Sequence, residues 1–444
     1  MGSFHTRRAP GSSFSFAVEA DPHLDESSNY TTFRNMLQNA GMAQPDFLVD
    51  LGDNFMTDKL PLITYNHIEE RHLLYRWFWD AVCHSVPLYL VIGNHEGEYG
   101  WALDGSQDNM PNMATSIRKL YYPNPQAGEF YSGSTQEYPF VGPRENYYAW
   151  TWGDALFIVL DPYINTVNKP GKTGDGWDFT LGKTQYDWFR ETLEGNDSKF
   201  KFVFAHQIVG GDSEGRGGVE WVDYYEMGGK NPDGSWEFDT ERPGWGKPLH
   251  LLMAENSVNI YFHGHDHFYA KQEKDGIIYQ LMPQPSHTNY TRVGNAEAYG
   301  YLSGEILPNS GHLLVTVEGL KARVDYVSAY HVDDPSKNQV NGAIRHSYEV
   351  YAEGYTGSVR RLTPDEENVV SVRSGPGRDL WISSTGGGVG EARLFTLAGQ
   401  LACRFQLDPD QKEQRLGIPA MLPPGLYLVH LDSGKYCGTF KVVL

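Results

Sequence analysis

The sequence predicts an α/β layered fold followed by a small all-β module, on three observations. Apolar runs alternate with amphipathic stretches between residues 14 and about 330. Polar residues gather where those runs end. From about residue 366 the text changes to short strands and turns.

The strand-like runs are "FSFAVEAD" (14–21), "DFLVDLGD" (46–53), "PLYLVIGNH" (87–95), "ALFIVLDP" (155–162), "KFVFAHQ" (201–207) and "VNIYFHGHDH" (258–267). Helical patterns lie between them at 29–41, 64–84, 112–121, 184–195 and 247–256. In 64–84, Leu74, Trp77, Phe78, Ala81 and Val82 recur at helical spacing, which predicts a buried stripe. Later runs, "IIYQLMP", "HLLVTVEG" and "ARVDYVSAY", have no helices between them, so the second half is richer in strands. Three long insertions, roughly 97–150, 163–183 and 208–246, carry Gly, Trp and Tyr. They read either as walls of a pocket or as a satellite hydrophobic cluster. Residues 331–365 read as a connecting region with a strand or two, and 366–444 as a β-sandwich in which "TGGGVGEA" forms a hairpin.

The chain of 444 residues is long enough for two or three domains. Its mean hydropathy of −0.49 marks a soluble globular protein. No apolar run reaches the ~18–20 residues of a membrane span. The polar opening 1–13, "MGSFHTRRAPGSS", has no apolar h-region; it reads as a tag, a disordered start or a mature start after a removed signal peptide. A formal charge of −20 excludes a nucleic-acid backbone or an anionic membrane as the main partner. It also requires that any site for an anionic substrate reverse the local field. Three cysteines exclude a disulfide scaffold and a CxxC zinc module. Cys403 and Cys437 either pair in an oxidising compartment or remain buried thiols.

Asp21, Asp53, Asn94, His95, His206, His265 and His267 all fall where a strand-like run finishes, the crevice end of an open α/β sheet. Asp21 with His23, and His265 with His267, would point the same way on an extended segment. Oxygen and nitrogen donors with a shared carboxylate are what two neighbouring divalent cations need. The ordered set "DPH", "GDN", "GNHE", "AHQ" and "GHDH" resembles the calcineurin-like metallophosphoesterase superfamily over about 14–330. That resemblance implies a layered β-sheet sandwich flanked by helices. It implies one cation on Asp21, His23, Asp53 and His267, and a second on Asp53, Asn94, His206 and His265, with Asp53 as the bridge. Zn²⁺, Mn²⁺ or Fe²⁺ would suit these donors. Asn94 and His95 would face a small phosphate-ester substrate, with His95 donating to a phosphoryl oxygen or protonating the leaving group. Hydrolysis would proceed by direct attack of a hydroxide shared by the two cations. His263 and Asp266 have no role in that scheme.

The departures also inform. Three residues after Asp53, where purple acid phosphatases carry a tyrosine ligand and Ser/Thr protein phosphatases an aspartate, this chain has Met56. No iron–tyrosinate colour is expected, and Asp58 is the candidate to orient His95 in place of that aspartate. "NHIEERH" (66–72) fails the HExxH spacing and reads as the exposed face of a helix. Tyr99, Trp101, Arg144 and Trp177 in the insertions, and His287 after the GHDH strand, are further candidates for substrate contact. Residues 391–444, with "RLFTLAGQL", "LPPGLYLVHL" and "FKVVL", resemble the sorting domain of type IX secretion substrates. That resemblance implies a secreted or cell-surface protein handed to a secretion machinery. Beside hydrolysis of phosphate mono- or diesters stand two other readings: a phosphotriesterase or phosphonate ester hydrolase at the same site, and a surface binding protein with a vestigial one.

Overall fold

The computed structural model describes residues 2–25, 28–212, 214–352, 370–375, 379–384, 390–396, 401–408, 410–419, 422, 426–432 and 437–443. It divides into two units, Met1–Glu353 and Gly354–Leu444.

In the first unit two sheets pack face to face. One joins β1 (Phe14–Glu19), β2 (Phe47–Asp50) and β3 (Leu88–Leu90) in parallel, and continues antiparallel from β1 through β12 (Gly311–Glu318), β13 (Lys321–Ser328) and β14 (Ile344–Tyr351). The other runs in the order β11 (Glu305–Leu307), β9 (Tyr269–Lys274), β10 (Ile277–Leu281), β8 (Ile260–His263), β7 (Phe200–Phe204), β6 (Ala155–Val159), β5 (Tyr148–Trp152) and β4 (Ser132–Gly133). Its central strands β10, β8, β7 and β6 are parallel.

The period of two explains the layering. Phe14, Phe16 and Val18 turn inward to meet Phe157, Phe202, Phe204 and Phe262 of the facing sheet. Ala17 lies between them in sequence and turns outward with Leu48 against the helices Tyr30–Met42 and Tyr65–Cys83. On the far side Ile158 and Val203 pack with Phe189 and Leu252 of the helices Lys183–Glu194 and Leu249–Glu255. The result is four layers, helix, sheet, sheet, helix. Side-chain caps start three helices: Asn29 accepts from Thr32 N at 2.9 Å, Thr64 from His67 N at 3.4 Å and Asn109 from Asn112 N at 2.9 Å.

Several expectations change. Trp77 is not in the buried stripe; it is 59% exposed, with the Arg34 guanidinium 4.9 Å above its ring. His72, read as part of an exposed face, is buried and stacks on Phe55 at 3.6 Å. Burial holds its imidazole down at about 4. The span 331–365 contributes β14, which pairs with β13 of the first unit. The 97–150 insertion holds the helix Met110–Tyr121, β4 and also β5, a sheet strand its sequence did not announce. Among the described residues, no helix is long and apolar enough to cross a membrane.

The second unit has a three-stranded sheet (Val370–Gly375, Asp379–Ser384, Glu413–Gly417) and a four-stranded one (Leu401–Gln406, Glu391–Thr396, Leu426–Asp432, Cys437–Val443). Val372, Leu380, Ile382, Leu394, Val429 and Leu431 share one core. The hairpin expected of the Gly-rich run falls outside the described residues at 385–389; the strands before and after it, Asp379–Ser384 and Glu391–Thr396, belong to different sheets. Pairing of Cys403 with Cys437 falls outside the described residues, which leave out the Cys437 side chain.

Phe16 is fully buried and touches five aromatic rings at centroid distances of 5.1–6.3 Å besides its strand neighbour Phe14. Phe16→Ala is expected to destabilise the first unit by about 3–5 kcal/mol in urea unfolding, because the rigid inter-sheet layer cannot collapse onto the cavity.

Candidate metal centre

Parallel strands deliver the polar residues to one edge. Asp21 and His23 follow β1, Asp53 follows β2, and Asn94 and His95 sit in a single 3₁₀ turn, Asn94–Glu96, after β3. His206 follows β7, and His265 and His267 follow β8. The alternation argument for Asp21/His23 and His265/His267 does not hold, because each strand stops before the pair begins. Asp21, His23, Asp53, His265 and His267 all take left-handed backbone, with φ of 59°, 54°, 59°, 75° and 63°. Each such residue costs about 1–3 kcal/mol unless its surroundings over-determine it. Here they do: Asp21 N donates to Gly52 O at 3.0 Å, His23 N to Asp53 O at 3.1 Å and Gly264 N to His206 O at 2.8 Å. The glycines of "GNHE" and "GHDH" are fixed by close approach. A Cβ on Gly93 would stand 2.4 Å from Asp53 Oδ1, and one on Gly264 2.4 Å from Asp21 Oδ2.

Two donor groups result. Asp21, His23, Asp53 and His267 offer ligand atoms that all lie within 4.8 Å of one another, and so do Asp53, His206 and His265. Asp53 belongs to both. Its Oδ2 stands 3.2 Å from His206 Nε2 and 3.5 Å from His23 Nε2. Asp21 Oδ1 lies 3.4 Å from His267 Nε2. The remaining bonds aim these atoms: His95 N donates to Asp53 Oδ1 at 2.7 Å, and His265 N donates to the Asp21 carboxylate at 3.0 Å. His206 Nδ1 donates to Leu51 O at 2.8 Å, so its Nε2 faces the centre. His265 Nε2 donates to Glu214 O at 3.2 Å, which leaves Nδ1 as its free donor atom.

The electrostatics follow from two buried carboxylates. Burial drives both upward, yet neighbouring histidines outweigh it: His267 and His206 lower Asp21, and His206 and His95 hold Asp53 well below the usual range. The converse holds for the rings. Burial opposes a proton on His23, but Asp25 and Asp53 raise it to about 10. His206 rises to about 9 against burial through Asp53 and Asp21. His265 is kept well below its ordinary value by burial, His206 and Arg216. Three buried atoms in this wall, His23 Nε2, His206 Nε2 and Asn94 Oδ1, have no hydrogen-bond partner. These unpartnered oxygen and imidazole nitrogen atoms around two carboxylates fit divalent cations such as Zn²⁺, Mn²⁺ or Fe²⁺ once the rings give up their protons.

His95 stands at the open side. Its Nδ1 meets Asp58 Oδ1 at 2.7 Å, while buried Met56 provides no such acceptor. The left-handed turn at Met56 opens the short helix Thr57–Lys59 and so brings Asp58 to the ring. Sequence reading assigned nothing to Glu96, whose only signal was its place in "GNHE". Its buried carboxylate accepts from Gly93 N at 2.6 Å, Asn54 N at 2.6 Å and Asp53 N at 3.0 Å. It thus ties the β2 and β3 loops together, and burial with Asp53 nearby raises it to about 7.

The insertion residues divide. Tyr99 and Trp101 stack at 3.9 Å, and Trp101 meets the Tyr163 ring at 6.4 Å; burial and the Asp58 carboxylate raise the Tyr99 hydroxyl. Arg144 is buried and engaged with the helix Met110–Tyr121: it donates to Asn112 Oδ1 at 2.8 Å, Thr115 Oγ1 at 2.5 Å and Pro111 O at 3.3 Å. Trp177 donates to Asn231 Oδ1 at 2.8 Å and meets the Tyr225 edge in the second core cluster. For those two the satellite cluster is the fitting description. His287 is half-buried and accepts from Asn289 N at 2.9 Å within its own loop. His263 is fully buried, and burial holds its ring down at about 3.

Without cations, His23 and His206 carry protons at neutral pH, and a cation needs both rings neutral. Affinity for Zn²⁺ or Mn²⁺ is therefore expected to rise from pH 6 to pH 9 and to weaken as protons return below the raised values of about 10 and about 9. Titration calorimetry at pH 7 in buffers of different ionisation enthalpy should report proton release; none, with pH-independent affinity, would contradict these donors.

Comparison with known proteins agrees with this geometry. No protein of curated function shows a significant sequence match to the chain. A purple acid phosphatase, PPD1, from yellow lupin (Lupinus luteus) seeds superposes with TM-score 0.51 at 14% identity, over 78% of this chain and 56% of that one. The chain thus spans little more than half of the lupin protein's length. The structure of PhoD superposes with TM-score 0.53 at 15% identity, over 79% of this chain and 74% of that one. At such identities the likeness concerns the fold. The sequence model for calcineurin-like phosphoesterases matches residues 14–269, more than half of the chain and the whole stretch that carries the donor groups. The chain belongs to the calcineurin-like phosphoesterase family.

Proposed function

We propose that the protein is a secreted phosphoesterase that hydrolyses small phosphate mono- or diesters at the Asp53 centre without a covalent enzyme intermediate. The observation that carries this reading is the shared carboxylate: Asp53 belongs to two donor groups at once, with His95 beside it. Asp21, His23, Asp53 and His267 would hold one cation, and Asp53, Asn94, His206 and His265 the other. When bound, two divalent cations supply Lewis-acid polarisation of the phosphoryl group and lower the pKa of an attacking water. Four positive charges against the two carboxylates Asp21 and Asp53 leave a local excess that attracts an anionic ester to an acidic protein.

The chain's own groups do the rest. Asp58 accepts from His95 Nδ1–H, which fixes the tautomer and turns Nε2 outward. The His95 side chain is 16% exposed, against 0–2% for Asp21 and Asp53, and unlike the more exposed His267 it belongs to neither donor group, which leaves it to reach a substrate oxygen. There it donates to the phosphoryl group or to the leaving group. Trp101, half-buried beside Tyr99, provides a flat wall for the ester's organic part. Export and surface retention are proposed for the C-terminal sandwich from its likeness to type IX sorting domains, which would make the secretion machinery its partner.

The deciding measurement is initial rates of Mn²⁺- or Zn²⁺-loaded protein on an aryl phosphate monoester and the matching bis-aryl diester. Turnover of neither would overturn the reading; preference for one assigns a phosphatase or a phosphodiesterase. Asp53→Ala should abolish turnover and remove both cations, since each donor group loses its common member. Asp58→Asn should keep both cations and lower kcat about 10–100-fold, as loss of an orienting partner does. The deficit should be largest on poor leaving groups if His95 donates the leaving-group proton, and uniform if it binds the phosphoryl oxygens.

A further inference from the structure

Asp266, the one titratable residue of "HGHDH" that is neither a donor candidate nor part of a strand, holds the 208–246 insertion against His265. Its carboxylate is 4% exposed and fully engaged. Oδ1 accepts from Arg216 Nη1 at 3.0 Å, and Oδ2 accepts from Gly217 N at 2.9 Å and Tyr301 OH at 2.8 Å. Arg216 Nη1 also donates to His265 O at 3.1 Å, and its guanidinium lies 4.5 Å from the Tyr299 ring centre. The same turn delivers Glu214 O to His265 Nε2 at 3.2 Å. The turn is closed on itself: Asp212 Oδ1 accepts from Glu214 N at 2.8 Å and Arg216 N at 2.9 Å, and Asp212 N donates to Arg216 O at 2.8 Å. A carbonyl oxygen can only accept, so Glu214 puts the proton on Nε2 and leaves the Nδ1 lone pair for a cation.

The other donor group meets this insertion only indirectly, through the His265 N that donates to the Asp21 carboxylate at 3.0 Å. Asp21, His23, Asp53 and His267 all follow strand ends, and His267 O is held from a different segment by Asn309 Nδ2 at 2.8 Å. The two halves of the centre therefore have different supports.

We infer that Arg216 and Asp266 are positioning residues by which the insertion, through Glu214 O, sets the orientation and tautomer of His265 and so builds the second cation position. This rests on the two-cation reading above. It implies stepwise loading, with the first position filling independently of the insertion and the second only while the Arg216–Asp266 pair is closed.

The test is calorimetric titration of the metal-free full-length protein with Zn²⁺ and, separately, Mn²⁺, with metal content per chain measured after gel filtration. Arg216→Met breaks the pair, Tyr301→Phe removes one bond to Asp266, and Arg216→Lys keeps the charge but not the fork. Wild type should bind two equivalents. Arg216→Met should keep the first equivalent at wild-type affinity and weaken the second about 10–100-fold. Tyr301→Phe should shift the second step less, and Arg216→Lys should recover part of the loss. A thermal melt identifies a variant that fails to fold, in which case the milder Tyr301→Phe decides. A folded variant with both steps unchanged, or both weakened equally, overturns the clamp while leaving the two-cation reading intact. A wild type that binds fewer than two equivalents overturns that reading and the clamp with it.

Discussion

Two carboxylates, Asp21 and Asp53, sit at the ends of adjacent parallel strands with 0% and 1% of their surface open to water. Buried charges of like sign repel each other and lose hydration, so the arrangement stands only with positive charge between them. Of the four imidazoles that close around the pair, His23 and His206 are raised and supply that charge, while His265 and His267, lowered by burial, complete the donor set without adding any. Protons on His23 and His206 offset the carboxylates when cations are absent, and cations can take their place. The rest of the first unit serves this constraint: the phenylalanine layer between the sheets is rigid enough to hold strand ends that would otherwise move apart.

The loops around the centre accept an unusual backbone to obtain this convergence. Five of the donor candidates have positive φ, a conformation that residues with a Cβ avoid. The strain is held by neighbours that leave little freedom. Gly93 and Gly264 let the Asp53 and Asp21 carboxylates approach the main chain, and Glu96 binds four amides across the β2 and β3 loops. A centre built this way is pre-formed, so cations meet donors that need little reorganisation.

The insertions are not one device. Trp177, Tyr225 and Trp245 extend the hydrophobic core over the outer face of the second sheet. Arg144 joins Asn112 and Thr115 to brace the helix Met110–Tyr121. Tyr99 and Trp101 stack on each other beside Tyr163, and Glu214 and Arg216 reach His265. Composition could not separate these uses, because an aromatic-rich loop looks the same in sequence whether it packs on a core or lines a cleft.

The sequence by itself determined the layered fold, the strands and helices from 14 to 330 apart from β4, β5, β9 and β11, and the donor candidates, because both signals are local. Hydrophobic period reports which side of an element is buried, and paired Asp and His residues at run ends report where polar chemistry must lie. The exceptions have physical causes. Trp77 continues a helical stripe in sequence, but the neighbouring helix supplies Arg34 rather than a wall there, and His72 is drawn inward by Phe55 from a separate loop. Only the tertiary structure decided the left-handed turns that aim Asp21 and His267, the Asp58 carboxylate behind His95 and the pairing of Asp266 with Arg216 fifty residues away. Each depends on a contact between segments distant in the chain, and no periodicity or spacing records which loop a strand end will face.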